Sequence, residues 1–362
     1  MKGINKIRDT NETDPAKTES FINKVLGEFG AIGSSALVII GDKLGLYKAL
    51  AEFGPMNSQE LAEKTGTVER YVREWLINQG AGGYLEYDPL VLKYSIPPEH
   101  ALALTNENSP FFVMGGFQIM TALVKAHNRI TELFTSGKGM EWGEHDENLF
   151  IGTERFFKPG YIGNLVDNWI PSLNGVKEKL IKGITVADIG CGHGASTIIL
   201  AKAFPNSVFY GFDKHKPSVE TARKHASSEG LSGRITFEVA GADEFPGNNY
   251  ELIAYFDCFH DLCNPEGSSA RSFNTLKDDG TVMIVEPMAG ENAEDNFNPV
   301  GRIFSSASVL CCTPNAMSCN GHHALGTIAT EKILSETVKA GGFTKFRRAA
   351  ETPFNRVFEA RK

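Results

Sequence analysis

The stretch Val186-Ala-Asp-Ile-Gly-Cys-Gly-His-Gly-Ala195 constrains this chain more than any other. An apolar strand ends at an acid, and glycines follow at positions 190, 192 and 194. Glycine lets a backbone turn this tightly and lets a ligand approach it closely. The next helix then offers its N-terminal amides to an anion. Units of this kind belong to open α/β sheets, whose ligands lie beyond the C-terminal ends of the strands. Two ligand classes fit the loop. Gly190-x-Gly192-x-x-Ala195 fits a dinucleotide fingerprint, while Asp188-x-Gly190-x-Gly192-x-Gly194 fits the methionine-binding loop of an enzyme using S-adenosylmethionine (SAM).

Beyond Leu180, short apolar strands alternate with helical stretches. The strands read ITVADI, SVFYGF, RITFEVA, YELIAYF, TVMIVE, FTKFRRA and FNRVFEA. This alternation predicts a mostly parallel sheet with helices on both faces. Only Glu351-Thr-Pro separates the last two strands, too short for a crossover helix, so they are expected to pair antiparallel.

Asp213, ending the second strand, suits the ribose hydroxyls of either cofactor. Asp188 separates the two. Beside a pyrophosphate its charge repels, whereas beside the ammonium and sulfonium of SAM it attracts. The third strand runs into Ala242-Asp243, where a carboxylate can accept from an adenine amino group. The fourth ends in Phe256-Asp257-Cys258-Phe259-His260-Asp261, with polar groups where such sheets hold ligands. The residues therefore favour SAM, held by Asp188, Gly190, Gly192, Gly194, Asp213, Ala242, Asp243, Phe256 and Asp257.

Upstream, residues 1–20 are polar and expected to be disordered. Apolar residues recur at helical spacing from Phe21 to Leu50, broken near Gly41 and Gly45. Asn57 or Ser58 can cap a short helix, Gly66 makes a turn, and Val68 to Gln79 forms a second helix. Tyr84 to Ile96, interrupted at Asp88-Pro89, reads as a β-hairpin. Two helices, a turn and a hairpin describe a winged helix. Leu102 to Trp169 reads as mainly helical.

With these features in view, the segment from about residue 180 onward resembles a class I SAM-dependent methyltransferase. The order winged helix, helical linker, methyltransferase, with "FDCFHDLCNPEG" and "CCTPNAMSCNGHHALGT", resembles a family of bacterial and nematode winged-helix methyltransferases. In layout that family is related to the plant small-molecule O-methyltransferases. The resemblance implies a Rossmann-like sheet of seven strands behind an N-terminal, mainly helical winged-helix domain. Its domains are a winged-helix and dimerisation domain over 21–110, a helical linker and pocket cover over 111–180, and a methyltransferase domain over 181–362. It also implies a homodimer acting on a small apolar or aromatic molecule.

Plant-type O-methyltransferases carry a His-Asp pair after the fourth strand with the histidine as base, and His260-Asp261 matches it. A histidine suits proton removal near neutral pH. Glu286 in "VMIVEP" matches the glutamate that orients the ring, so the His260 ring is expected to face the cofactor cavity. The family's second orienting glutamate has no counterpart in Asn320-Gly-His-His323. Cys311, Cys312, Cys319, His322 and His323 lack the Cys-x-x-Cys spacing of structural zinc sites, so no metal is expected. That segment reads as a loop over the substrate pocket. Phe297 to Pro299, Phe304, Phe156, Phe157 and Tyr161 are candidates to line the pocket.

A SAM-binding transcription regulator is the alternative reading. A net charge of −8 gives the protein as a whole no attraction for nucleic acid. In the candidate reading helix, Glu69 and Glu74 offset Arg70 and Arg73, and DNA affinity needs cationic contacts. The N-terminus lacks a secretory pattern, and the best apolar run, Ala31 to Ile40, is shorter than the ~20 residues of a bilayer span. The six cysteines follow no disulfide framework. The expectation is a cytoplasmic protein with reduced thiols.

Overall fold

Asp14 accepts from the amides of Ala16 and Lys17, and Pro15 occupies the first helical turn. Together they start a helix, α1, at Pro15–Lys43. The computed structural model describes residues 13–319 and 324–362. The helix thus begins inside the stretch expected to be disordered, because an Asp-Pro start signal outweighs the polar composition around it. It also runs through Gly41 and breaks at Gly45, whose φ of 70° suits a residue without Cβ. By length and composition alone, α1 is long and apolar enough to cross a membrane, which corrects the sequence estimate.

The chain forms two compact units, one up to Asn106 and one from Glu107 onward. In the first, α1 is followed by α2 (Leu46–Phe53), α3 (Ser58–Thr65) and α4 (Glu69–Ala81). Asn57 and Glu60 form a capping box at the start of α3, and Gly66 ends it with φ 66°. Strands β1 (Glu86–Asp88) and β2 (Lys93–Ser95) pair antiparallel as the wing. Trp75 of α4 donates from its indole nitrogen to the Leu37 carbonyl at 2.9 Å, seating the C-terminal half of α1. The N-terminal half leaves Phe21, Ile22, Leu26 and Phe29 exposed.

The second unit opens with helices α5 to α7, taken here as Met114–Lys125, His127–Ser136 and Glu147–Asn164. α5 and α7 cross at glycines. A Cβ on Gly115 would lie 2.3 Å from the Phe156 backbone nitrogen, and one on Gly152 would lie 2.9 Å from the Gly115 carbonyl oxygen. The sheet follows: β3 (Thr185–Ile189), β4 (Val208–Asp213), β5 (Ile235–Val239), β6 (Tyr250–Phe256), β7 (Leu276–Pro287), β8 (Lys345–Glu351) and β9 (Asn355–Arg361). Their order is β5-β4-β3-β6-β7-β9-β8. β3 to β7 are mutually parallel, and β9 runs antiparallel to both β7 and β8. Apolar clusters cover both faces, one around Trp169, Phe209 and Val285, the other around Phe212, Phe245 and Phe358. The strand order reverses between β3 and β6, which opens a crevice beyond their ends.

The glycine crossing is the least forgiving contact in this unit. Gly115→Val should lower the unfolding free energy, measured by denaturant titration, by at least ~1–3 kcal/mol, the scale of core overpacking. Gly160, also helical but with nothing within 4 Å of an added Cβ, should accept alanine at no cost or with a gain of ~0.5–1 kcal/mol from helix propensity. Equal responses would show that the crossing is not tight.

Candidate functional site

Backbone geometry at the end of β3 sets the site. Gly190, Gly192 and Gly194 all have positive φ, at 71°, 51° and 81°. The amides of Gly190 and Cys191 both donate to the Phe212 carbonyl, at 2.7 and 3.1 Å, and Gly192 donates to Asp213 Oδ2 at 2.9 Å. The loop is therefore tied to the neighbouring strand before any ligand arrives. A Cβ at Gly190 would meet the Cys258 sulfur at 2.6 Å.

Beside this loop lies a cavity of about 460 Å³. Gly190, Gly192, Asp213, Ala242, Asp243, Phe256 and Asp257 line it as a group. Asp188 and Gly194 do not. Asp188 is buried and set back, its Oδ2 accepting from Ser196 and Thr197 at 2.6 Å each, while Oδ1 has no partner. Burial pushes its carboxyl up to about 6, against the two hydroxyl donors. Gly194 faces Phe237, 2.5 Å from where its Cβ would stand. Its absent side chain makes room for core packing.

Asp213 Oδ1 also accepts from the His215 amide at 2.8 Å, and burial raises its pKa. Asp243 accepts from Asn264 at 3.0 Å. Asp257 accepts from the Tyr161 hydroxyl at 2.9 Å and from the Asn355 amide group at 2.7 Å.

His260 and Glu286 come together as expected. His260 Nδ1 lies 3.0 Å from Glu286 Oε2, and the His260 backbone amide donates to Oε1 at 3.3 Å. Both side chains are buried, the ring at 4% exposure and the carboxyl at none. Neither is part of the cavity wall, although Asp261 is, so the expectation that the His260 ring faces the cavity is corrected: the ring is packed behind the wall, against Glu286. The Cys312 sulfur lies within 4.8 Å of a ring nitrogen. Burial pulls the His260 pKa down, but Glu286 and Cys312 override it and hold it well above the ordinary value.

Several pocket expectations are corrected. Phe157 and Tyr161 line the cavity, whereas Phe156 meets Phe157 edge to face from outside the wall. Phe297 is 83% exposed and Phe304 is packed at 4%, and neither they nor Pro299 reach the cavity. The run of reduced thiols is broken at one pair, since Cys263 and Cys319 form a disulfide across 56 residues of sequence. Both border the cavity, a proximity created by the fold and invisible in cysteine spacing. Cys311 packs with Ala122, Leu123 and Leu149. His322 and His323 lie outside the described residues. Among those described, His260, Asp261 and Cys312 bring ligand atoms within 4.8 Å of one another, a group able to hold a metal ion.

Other wall residues carry no sequence signal. Glu154 of α7 reaches His193 in the glycine loop at 2.9 Å. Asn315 accepts from the Trp142 amide and from Lys214 at 3.0 and 3.1 Å, and donates to the Asp261 carbonyl at 2.9 Å. These link segments far apart in the chain, so no local pattern marks them.

Residues 33–106 match the Rv2258c-like winged HTH domain, and residues 180–341 match a methyltransferase domain. The chain carries a winged-helix domain followed by a methyltransferase domain. Its fold is similar to that of a putative O-methyltransferase from Nostoc punctiforme, with TM-score 0.72 and 19% identity over 97% of this chain and 100% of that one. It is also similar to the mitomycin 7-O-methyltransferase MmcR, at 0.68 and 17% over 96% and 98%. Human N-acetylserotonin methyltransferase in complex with SAM gives 0.68 and 18% over 97% and 99%. A curated relative, the polyketide synthase ThaQ of Burkholderia thailandensis, is 31% identical over 106 residues. That match spans 29% of this chain and only 5% of the synthase.

SAM is the cofactor of such domains, and the residues of this methyltransferase fit it. Gly190 leaves a cradle that a side chain would close. Asp188 keeps a buried carboxyl oxygen without a partner. Asp213, Asp243, Asp257 and Asp261 line the cavity against Lys214, an acidic surround that suits a cation better than a pyrophosphate. Asp213→Ala should weaken SAM binding by about 1.5–3 kcal/mol, the scale of a hydrogen bond to a charged group. Calorimetry should show SAM and S-adenosylhomocysteine binding, with NAD and NADP silent. Tight NAD binding, or an indifferent Asp213→Ala, contradicts the assignment.

Proposed function

We propose that the protein transfers the methyl group of SAM to a hydroxyl of a small, apolar or aromatic molecule, with His260 as general base. The observation that carries this reading is the buried 3.0 Å contact between His260 Nδ1 and Glu286. Bound SAM supplies the electrophilic methyl group. Glu286 fixes the ring and leaves Nε2 to take the acceptor's proton. Trp142, Phe150, Phe157 and Tyr161 on the cavity wall hold an apolar acceptor and keep water away, so proximity supplies much of the rate.

Cys312 lies beside the His260 ring, its sulfur within 4.8 Å of a ring nitrogen. It ends the π-helical stretch Ser308–Cys312, and such stretches are frequent where a helix must adjust at a functional site. An acceptor hydroxyl reaching His260 takes the thiol's place.

The same proposal makes the protein a cytoplasmic homodimer that binds neither nucleic acid nor membrane. Its support is local. Phe21, Ile22, Leu26 and Phe29 leave an apolar stripe exposed on α1, which suits a second copy. Arg70 is paired with Glu74, and Arg73 with Glu69, so the candidate reading helix presents neutralised cations. Four cysteines are free.

His260→Ala should cut turnover about 10²–10⁴-fold and leave SAM affinity unchanged. A neighbouring carboxylate raises the pKa of the base, so His260 accepts a proton only as pH climbs through that raised value. Turnover should therefore rise above the ordinary histidine range, and Glu286→Gln should move the rise to lower pH while lowering the maximum. A His260→Ala enzyme within a few-fold of wild type removes the base and the preference for oxygen. Separately, Phe21→Ser with Phe29→Ser should shift the mass measured by light scattering from dimer to monomer. A wild-type monomer contradicts the assembly.

A further inference from the structure

Asp257 directly follows β6 and lines the cavity, yet the proposed proton removal does not use it. Its backbone is left-handed, with φ 53°. That region is sparsely populated for residues with a side chain, and persists where the surroundings over-determine it. Here they do. The Asp257 amide donates to the Val285 carbonyl at 2.8 Å. One carboxyl oxygen accepts from Tyr161 of α7 and the other from Asn355 of β9. The carboxyl is thus aimed by three separate elements and held by donors that carry no formal charge.

Its charged surroundings are mixed. Glu286 of β7 repels a second negative charge, and His260 opposes it. Tyr161 feels Asp257 and also Asp188 of β3. Burial first, and Glu286 next, push the Asp257 carboxyl up to about 8, with Tyr161, His260 and Asn355 pulling it down. Near neutral pH the group is therefore mostly protonated until a positive charge arrives. The cofactor supplies such a charge before reaction and not after it, since the sulfonium becomes a neutral thioether when the methyl leaves.

We infer that Asp257 distinguishes the sulfonium donor from the thioether product: it gives up its proton to solvent when the donor enters and regains one when the product remains. This rests on the SAM reading above. The ionised carboxylate strengthens donor binding by charge attraction, and reprotonation removes that attraction once transfer is complete. Product release is then favoured by the same group that favoured donor binding.

The test is calorimetry of SAM and of S-adenosylhomocysteine, each in two buffers of different ionisation enthalpy, from about pH 6 to about pH 9. Wild-type protein should release about one proton per SAM bound near pH 6.5–7, fading above about pH 8, and almost none per S-adenosylhomocysteine. SAM affinity should climb by up to about tenfold per pH unit below about pH 8 and then level off. The two ligands share their amino and carboxyl groups, so the difference isolates the sulfonium. Asp257→Asn should abolish the proton release and the pH slope for SAM, and lower the SAM to S-adenosylhomocysteine affinity ratio about tenfold or more. Tyr161→Phe removes a donor to the ionised form and should move the break to higher pH. Equal proton release by wild type and Asp257→Asn, or by the two ligands, overturns the inference while leaving the cofactor reading intact. If neither ligand binds wild-type protein, both fall together.

Discussion

The Glu286 carboxyl has no solvent exposure, and the structure beyond the ends of β6 and β7 is organised around it. Burying such a group is expensive unless partners satisfy it. Two come from His260, through its ring and its backbone amide. A third element stands across the antiparallel ladder, where Arg356 is the register partner of Glu286 and is itself fully buried. Arg356 is held by the Pro287 and Ala329 carbonyls. The short antiparallel return of β9 therefore does more than finish the sheet. It brings a cation opposite the buried acid and delivers Asn355 to Asp257. One carboxyl thus sets the basicity of His260 and the proton affinity of Asp257 in the same direction.

At the other side of the strand-order reversal, the glycine loop is organised by a different acid. Asp188 gathers the hydroxyls of Ser196 and Thr197 at the start of the next helix, while Asp213 clamps the loop from outside. Asp188 is buried, whereas Asp213 lines the cavity. An acid expected to hold the cofactor because it precedes the glycines lies behind the cavity wall, where it holds the start of the following helix. Its unpartnered oxygen leaves room for a role in both.

The fold was legible because its signals are local. Apolar runs punctuated by glycine locate the strands of the sheet, and Asn57, Glu60 and Gly66 mark the start and end of α3 by capping chemistry. The antiparallel end of the sheet follows from a connection too short to cross over. The cavity was partly legible, since strand ends in such a sheet converge on one crevice and carry Asp213, Asp243 and Asp257 there. What stayed hidden depends on distant partners. Phe304 and Phe157 are equally aromatic in sequence, yet one is packed and the other lines the wall. Asn315 and the Cys263–Cys319 pair acquire their places only when separate segments meet. Gly194 satisfied the motif, but its reason is the Phe237 ring.

The crossing of Gly115 and Gly152 divides the cover of the cavity into a part that cannot vary and a part that can. Backbone lies on backbone there, so neither helix can slide or accept a larger residue without displacing the other. Trp142, Phe150 and Phe157 occupy the adjoining surface as side chains alone. A change of acceptor during divergence can therefore be made by exchanging rings on a frame whose spacing is fixed. The two glycines set the spacing of that frame.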